Sequence, residues 1–275
     1  MTKRNKVKIG ACIMVHNMAP FVGACVRSLN WVDGLYVFDD KSTDGSAKTA
    51  EQNSCVPLII ERSDNDDVIF KKGELKMRNY ILERAFDLLG VDVLIIADAD
   101  ELFSKNLKPE ILKYFSDDTV DSMSFSIWHL FNKKRYIHFW EDTINNVKMV
   151  DPHTRVIRRN KKFVPLSNDG SHPIIKTDKN TVCLHGPYHF HLKYFYKSTL
   201  PNYSIYFLPE RLSEEAVSIY LKDLPFELPK DINDAIDMID WDNLPLYKET
   251  PHYLSKRVVF DDPNQALLHP KYYKN

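Results

Sequence analysis

The stretch Val91-Asp92-Val93-Leu94-Ile95-Ile96-Ala97-Asp98-Ala99-Asp100-Glu101 constrains the fold more than any other part of this 275-residue chain. Its branched apolar run from Val91 to Ala97 lacks regular polar alternation, the pattern of a strand buried on both faces in the middle of a parallel sheet. It then stops in three carboxylates. In open α/β sheets the ligand crevice lies beyond the carboxyl ends of the strands, so Asp98, Ala99 and Asp100 are expected where a small molecule is held. Extended chain alternates its faces, which places Asp98 and Asp100 on one side with only Ala99 between them. Two like charges that close repel, and a hard divalent cation with oxygen ligands is the simplest way to neutralise them. A solvated acidic loop after a core strand is the plainer reading of the same residues.

The chain before this stretch repeats the pattern. Val7 to Val15 reads as a strand that stops at His16-Asn17, and Pro20 opens a helical pattern through Val22, Val26 and Leu29. Leu35 to Phe38 is a second short strand, ending in Asp39-Asp40, with Lys41-Ser42-Thr43-Asp44-Gly45-Ser46 as turn and helix cap. Pro57 to Ile60 is the third strand, and Glu74 to Leu89 is a helix with Leu75, Leu82, Phe86 and Leu89 on one face. Strands alternating with helices imply right-handed crossovers and a parallel sheet whose acid-bearing strand ends share one edge.

After a helix over Leu107 to Phe115 the texture changes. Ser122 to Phe131, Arg135 to Trp140, Thr154 to Arg159 and two short runs within Thr181 to Leu192 read as strands. With no Pro/Gly/Ser linker between the doubly wound half, 1–115, and the strand-rich half, 116–200, residues 1–200 are expected to form one domain. Residues 201–275 are expected to form a C-terminal helical extension, with helices over Ser213 to Leu224 and Asp231 to Trp241.

Composition narrows the class. An apolar share of 44% with 12% aromatic residues is that of a globular chain. Lys and Arg total 37 against 38 Asp and Glu, which supplies no general field for nucleic acid or acidic membranes, so an anionic ligand must be gripped locally. Cys12, Cys25, Cys55 and Cys183 are scattered without Cys-Xaa-Xaa-Cys spacing and read as reduced core thiols. No run reaches the ~18 apolar residues of a membrane span, and Met1 to Lys8 lacks the apolar core of a signal peptide. The expected location is cytoplasmic, with the inner face of a membrane compatible.

The order of Val15-His16-Asn17 after strand one, Asp39 to Ser46 after strand two, Arg78-Asn79 on a helix and Ala97-Asp98-Ala99-Asp100 after strand four resembles the family-2 glycosyltransferases of the GT-A fold. The likeness covers residues 7 to 115 well and the remainder weakly. It implies an α/β fold with a doubly wound, mostly parallel sheet, a nucleotide-binding half over residues 1–115, a strand-rich acceptor half over 116–200 and C-terminal helices. It also implies a nucleotide-sugar donor, uridine-linked more than guanosine-linked, a glycan, lipid-linked or other hydroxyl acceptor, and transfer with inversion. Asp40 would then accept a hydrogen bond from the base, Met14, Val15 and Asn17 would line the same pocket, and Asp98 would lie near the ribose and donor sugar. Arg78 would contact phosphate or base, or else form a helix-surface ion pair with Glu74 or Glu83. The metal ligands would be Asp98 and Asp100, joined by His189 or His191 from a late strand, around Mn²⁺ or Mg²⁺. A nucleoside diphosphate leaving group accumulates negative charge, which such an ion stabilises where it develops.

The acceptor-activating base is expected at Asp169, in the turn-rich Leu166 to His172, with Asp142 as the second choice. Glu141, Asp151 and His172 are further acidic or imidazole groups of the acceptor half. Trp128, Phe131, Tyr136, Phe139 and Trp140 could form a sugar-stacking platform, although at strand spacing such residues are more often core. Two other classes compete. A sugar nucleotidyltransferase would carry a Gly-rich basic phosphate loop after strand one, which Val15 to Pro20 is not. A non-catalytic glycan- or partner-binding protein would have no need of Asp98, Asp100 and the late histidines.

Overall fold

The computed structural model describes residues 7–63, 74–138, 140–165, 173–192 and 220–241. Four strands, β1 (Ile9–Val15), β2 (Gly34–Asp39), β3 (Leu58–Arg62) and β4 (Val93–Asp98), lie parallel in the order β4-β1-β2-β3. Their connections contain α1 (Ala19–Ser28), α2 (Ser46–Asn53) and α3 (Glu74–Leu89). The unbroken apolar character of β1 and β4 has a direct cause: both faces are covered. Ile9, Ala11, Ile13 and Val15 join Val93, Ile95 and Ala97 in a core with Phe21, Val22, Cys25 and Val26 of α1. Cys12, Leu94 and Ile96 point the other way, to Ile81, Leu82, Ala85 and Phe86 of α3. Gly10 sits where α3 ends against β1; a Cβ there would lie 2.9 Å from Leu89 Cδ1.

β4 does not run on into the acidic residues. It stops at Asp98, Ala99 and Asp100 turn, and a new strand, β5 (Glu101–Phe103), begins. The expected alternation of Asp98 and Asp100 on one face of a continuous strand is therefore corrected, because the turn breaks the two-residue period. Glu101 likewise starts a strand and is buried.

The helix α4 (Leu107–Tyr114) leads to β6 (Ser122–Leu130), β7 (Arg135–Ile137), the hairpin β8 (Glu141–Ile144) and β9 (Val147–Val150), β10 (Pro152–Ile157) and β11 (Thr181–His191). Asn145 and Asn146, at φ of 49° and 64°, make the hairpin turn in the left-handed region that Asn tolerates. β10 is antiparallel to both β4 and β6, and β11 joins β6 in parallel and β5 antiparallel. The α/β class and the parallel first half agree with expectation; beyond β4 the sheet is mixed.

The region beyond residue 200 is less separate than expected. Leu221–Asp223, placed by sequence at the end of a helix, forms β12 and pairs antiparallel with β7, extending the main sheet. α5 (Lys230–Asp237) buries Ile232, Ala235 and Ile236 in the same core as α1, and Arg27 Nη2 donates to the Ala235 carbonyl at 3.2 Å. Residues 213–219 and 242–275 lie outside the described residues. Cys12, Cys25 and Cys183 are buried thiols as expected, whereas Cys55 is exposed. No helix among the described residues is long and apolar enough to cross a membrane.

Candidate active site

Register brings the sequence motifs together. Met14 of β1 is opposite both Phe38 of β2 and Asp98 of β4, and Val15 is opposite Asp39, so the three strands end level. The two loops that leave this edge are laced to each other. The Asn17 N–H donates to Ser42 Oγ at 2.9 Å, Thr43 N–H to Asn17 Oδ1 at 2.8 Å, Met18 N–H to Ser46 Oγ at 2.9 Å and Ala19 N–H to Asp44 Oδ2 at 2.8 Å. Asp39 Oδ1 accepts the Ser42 N–H at 2.8 Å. Asp44 serves both helix starts, its Oδ1 accepting the Ser46 N–H of α2 at 3.0 Å and its Oδ2 the Ala19 N–H of α1. Asp40 is buried; its N–H donates to the Val15 carbonyl at 2.8 Å, and its own carbonyl contacts His16 Nδ1. Lys41, at φ 59°, occupies the left-handed region that residues other than glycine adopt less often.

Asp98 faces α3 and meets two guanidiniums. Arg78 Nη1 donates to Asp98 Oδ1 at 3.3 Å while its Nε donates to Glu74 Oε1 at 2.7 Å, so Arg78 forms the helix ion pair and reaches the strand end as well. Arg155 Nη2 donates to Asp98 Oδ2 at 3.3 Å and also to Glu101 Oε1. The Arg78 guanidinium carbon lies 5.4 Å from the Phe163 ring centroid, and Asn79 clamps that residue by accepting the Phe163 N–H at 2.8 Å and donating to its carbonyl at 3.0 Å. The repulsion read from sequence is thus relieved at Asp98 by arginine. Burial would raise the Glu101 pKa, but the Arg155 charge, followed by His189, outweighs it and holds this carboxyl well below the usual range. Burial alone would lower the Arg155 pKa; Glu101 and then Asp98 raise it.

The two late histidines part company. His189 is fully buried, stacked on Phe103 with centroids 4.5 Å apart, and its Nε2 lies 3.3 Å from Glu101 Oε1 in poor hydrogen-bond alignment. Its pKa is lowered, chiefly by burial. His191 Nε2 lies 3.2 Å from Asp100 Oδ2, with both side chains partly exposed. His191 is therefore the imidazole beside Asp100, whereas His189 lies against Glu101 in the core.

Asp142 is on β8 of the hairpin, where its Oδ1 accepts the Thr143 N–H at 2.8 Å. Asp169 and Phe139 lie outside the described residues. Of the aromatic set, Trp128, Phe131 and Tyr136 are core; Trp128 packs edge-on to Tyr136 and Phe226, each at 4.8 Å. Trp140 instead donates its indole N–H to Asp151 at 2.8 Å.

Sequence reasoning missed Arg155 and His129 and gave no partner to Asp151. The signal for Arg155 was a cation directly before the apolar Val156-Ile157 within an expected strand, where burial demands a paired carboxylate. His129 offered no comparable signal.

No family model matches the chain, and no curated protein matches it. Among solved structures it is similar to S. aureus TarS. The TarS 1–349 structure aligns at 15% identity and TM-score 0.41 over 70% of this chain and 63% of that one. A second structure of S. aureus TarS aligns at 14% identity and TM-score 0.45 over 70% and 38%, and TarS 1–349 in complex with UDP-GlcNAc at 14% identity and TM-score 0.41 over 71% and 63%. The chain thus spans less than two thirds of each.

Proposed function

We propose that the protein is a glycosyltransferase that moves a sugar from a UDP-linked donor to a hydroxyl acceptor with inversion. The observation that carries this reading is the level carboxyl edge of β1, β2 and β4, where Met14 lies opposite Asp98, Asp40 follows β2, and Arg78 and Arg155 both reach Asp98. Asp40 would accept an N–H of the base, Met14 and Val15 would floor its pocket, and Asn17 would hold the pocket's rim through Thr43. The guanidiniums fit phosphate oxygens bidentately and would stabilise charge on the departing diphosphate.

Asp100 and His191 fit a divalent ion as an oxygen and nitrogen donor pair at 3.2 Å, a set that suits Mn²⁺. Among the described residues no three His, Cys, Asp or Glu side chains converge on one point, so the protein would supply only part of the coordination. When bound, such an ion would neutralise diphosphate charge. Asp142 or Asp169 would take the acceptor's proton as the hydroxyl attacks the anomeric carbon and the bond to the diphosphate breaks.

A thermal-shift screen of nucleoside diphosphates and nucleotide sugars, with and without Mn²⁺, tests the reading, since a ligand of the folded state raises Tm by mass action. A rise with UDP and with one UDP-sugar supports it. No rise with any nucleotide at millimolar concentration rejects it.

A further inference from the structure

Behind His191 runs a line of four polar side chains that the proposed reaction does not itself use. His191 Nδ1 lies 3.0 Å from His129 Nδ1. His129 Nε2 lies 2.6 Å from Asp151 Oδ2, and Asp151 Oδ1 receives Trp140 Nε1–H at 2.8 Å and lies 3.2 Å from His153 Nε2. Asp151 is buried and takes a φ of 38°, a left-handed backbone that Asp and Asn tolerate better than other residues. Burial would raise its pKa, yet the charge of His153 and the hydrogen bond from His129 hold it well below the ordinary range, so it is a carboxylate at neutral pH.

An ionised carboxylate only accepts hydrogen bonds, and each imidazole nitrogen either donates or accepts. The protons along the line follow. Asp151 takes the Nε2–H of His129, which leaves His129 Nδ1 as an acceptor when that ring is neutral. With both rings neutral, His191 Nδ1 must then donate to it, which leaves the Nε2 lone pair for a cation held between that nitrogen and Asp100 Oδ2, 3.2 Å away; with no cation the carboxylate draws a proton onto Nε2 instead. We propose that Asp151, acting through His129, is a positioning residue that sets the tautomer of His191 and so makes its Nε2 a cation ligand beside Asp100. This rests on the reading of Asp100 and His191 as a metal-binding pair. It also accounts for a buried carboxylate some way from the strand ends with donors gathered on both its oxygens.

Asp151→Asn is the informative change, because Asn suits the left-handed backbone and keeps the shape. With Trp140 and His153 still donating to the amide oxygen, the amide nitrogen would face His129 and donate. Each proton along the line then reverses, and His191 carries its hydrogen on Nε2. Long-range ¹H–¹⁵N spectra of ring-labelled histidines, recorded without metal in an Asp100→Ala background where no carboxylate draws the Nε2 proton, should show neutral His191 change from the Nδ1–H to the Nε2–H tautomer. Mn²⁺ affinity, read by electron paramagnetic resonance of free ion, should fall about 10- to 100-fold, the usual effect of losing a partner of a metal-bound imidazole. His129→Gln, which keeps Asp151, should lower Mn²⁺ affinity in the same direction and covers the case in which Asp151→Asn does not fold. An unchanged His191 tautomer in Asp151→Asn, or Mn²⁺ affinity within twofold of wild type in a folded variant of either kind, overturns the proposal. Asp100→Ala serves as the separate control. If it leaves Mn²⁺ binding intact, the metal-pair reading itself fails; if it abolishes binding while Asp151→Asn and His129→Gln do not weaken it, only the positioning role fails.

Discussion

Arg155 and Glu101 form a buried ion pair directly behind the end of β4, and the same guanidinium reaches Asp98 on the open side. One cation thus serves a carboxylate sealed in the core and another facing the crevice. Removing one partner of a buried pair strands the other charge. Arg155→Ala should cost about 3–5 kcal/mol in urea denaturation, and a loss below about 1 kcal/mol would show that Glu101 is neutral or reached by water.

Asp40 sits at the mouth of β2, held by Val15 and His16. A hydrogen bond to a charged group is worth roughly 1.5 to 3 kcal/mol, so Asp40→Ala should weaken UDP binding about ten- to a hundredfold in calorimetry. Unchanged affinity in a folded variant would remove Asp40 from the base pocket.

Asp98 already has two arginine partners, whereas Asp100 has His191. Excess EDTA and Asp100→Ala should each reduce UDP affinity in wild-type buffer, and Asp100→Ala should be insensitive to EDTA. Equal wild-type affinity with and without EDTA would assign diphosphate recognition to Arg78 and Arg155 alone.

Asp151 offers a pH test. Its folded pKa is depressed, so its contribution to stability is complete above the unfolded value, about 3.9, and is lost as pH falls below that towards the folded pKa. The stability gap between wild type and Asp151→Asn should narrow as pH falls below about 4. A gap that does not narrow on acidification below about pH 4 would mean that the folded pKa of Asp151 is not depressed.

For the base, Asp169→Asn and Asp142→Asn keep shape and remove basicity. The one that serves should bind UDP normally and lose roughly 100-fold or more in transfer. Wild-type turnover in both would place the base elsewhere.

The alternating strands and helices of the first hundred residues, and the edge where their acids gather, were legible in the sequence because they follow from local pattern. Apolar periodicity marks a strand covered on both faces, and the chain's own alternation of elements makes the sheet parallel. That Asp40, Asp98 and Asp100 follow the ends of such strands could be read from the same pattern. What neutralises each acid could not. The turn at Ala99-Asp100 broke the expected alternation, and Arg155, His191 and the Asp151–His129 line come from strands 22 to 91 residues distant from the groups they meet. Ion pairing and imidazole hydrogen bonding depend on distances of about 3 Å, which only the packing of β6, β10 and β11 beside β4 and β5 brings about. The same holds for β12: three residues with a helical pattern became a strand because the edge of β7 was there to receive them.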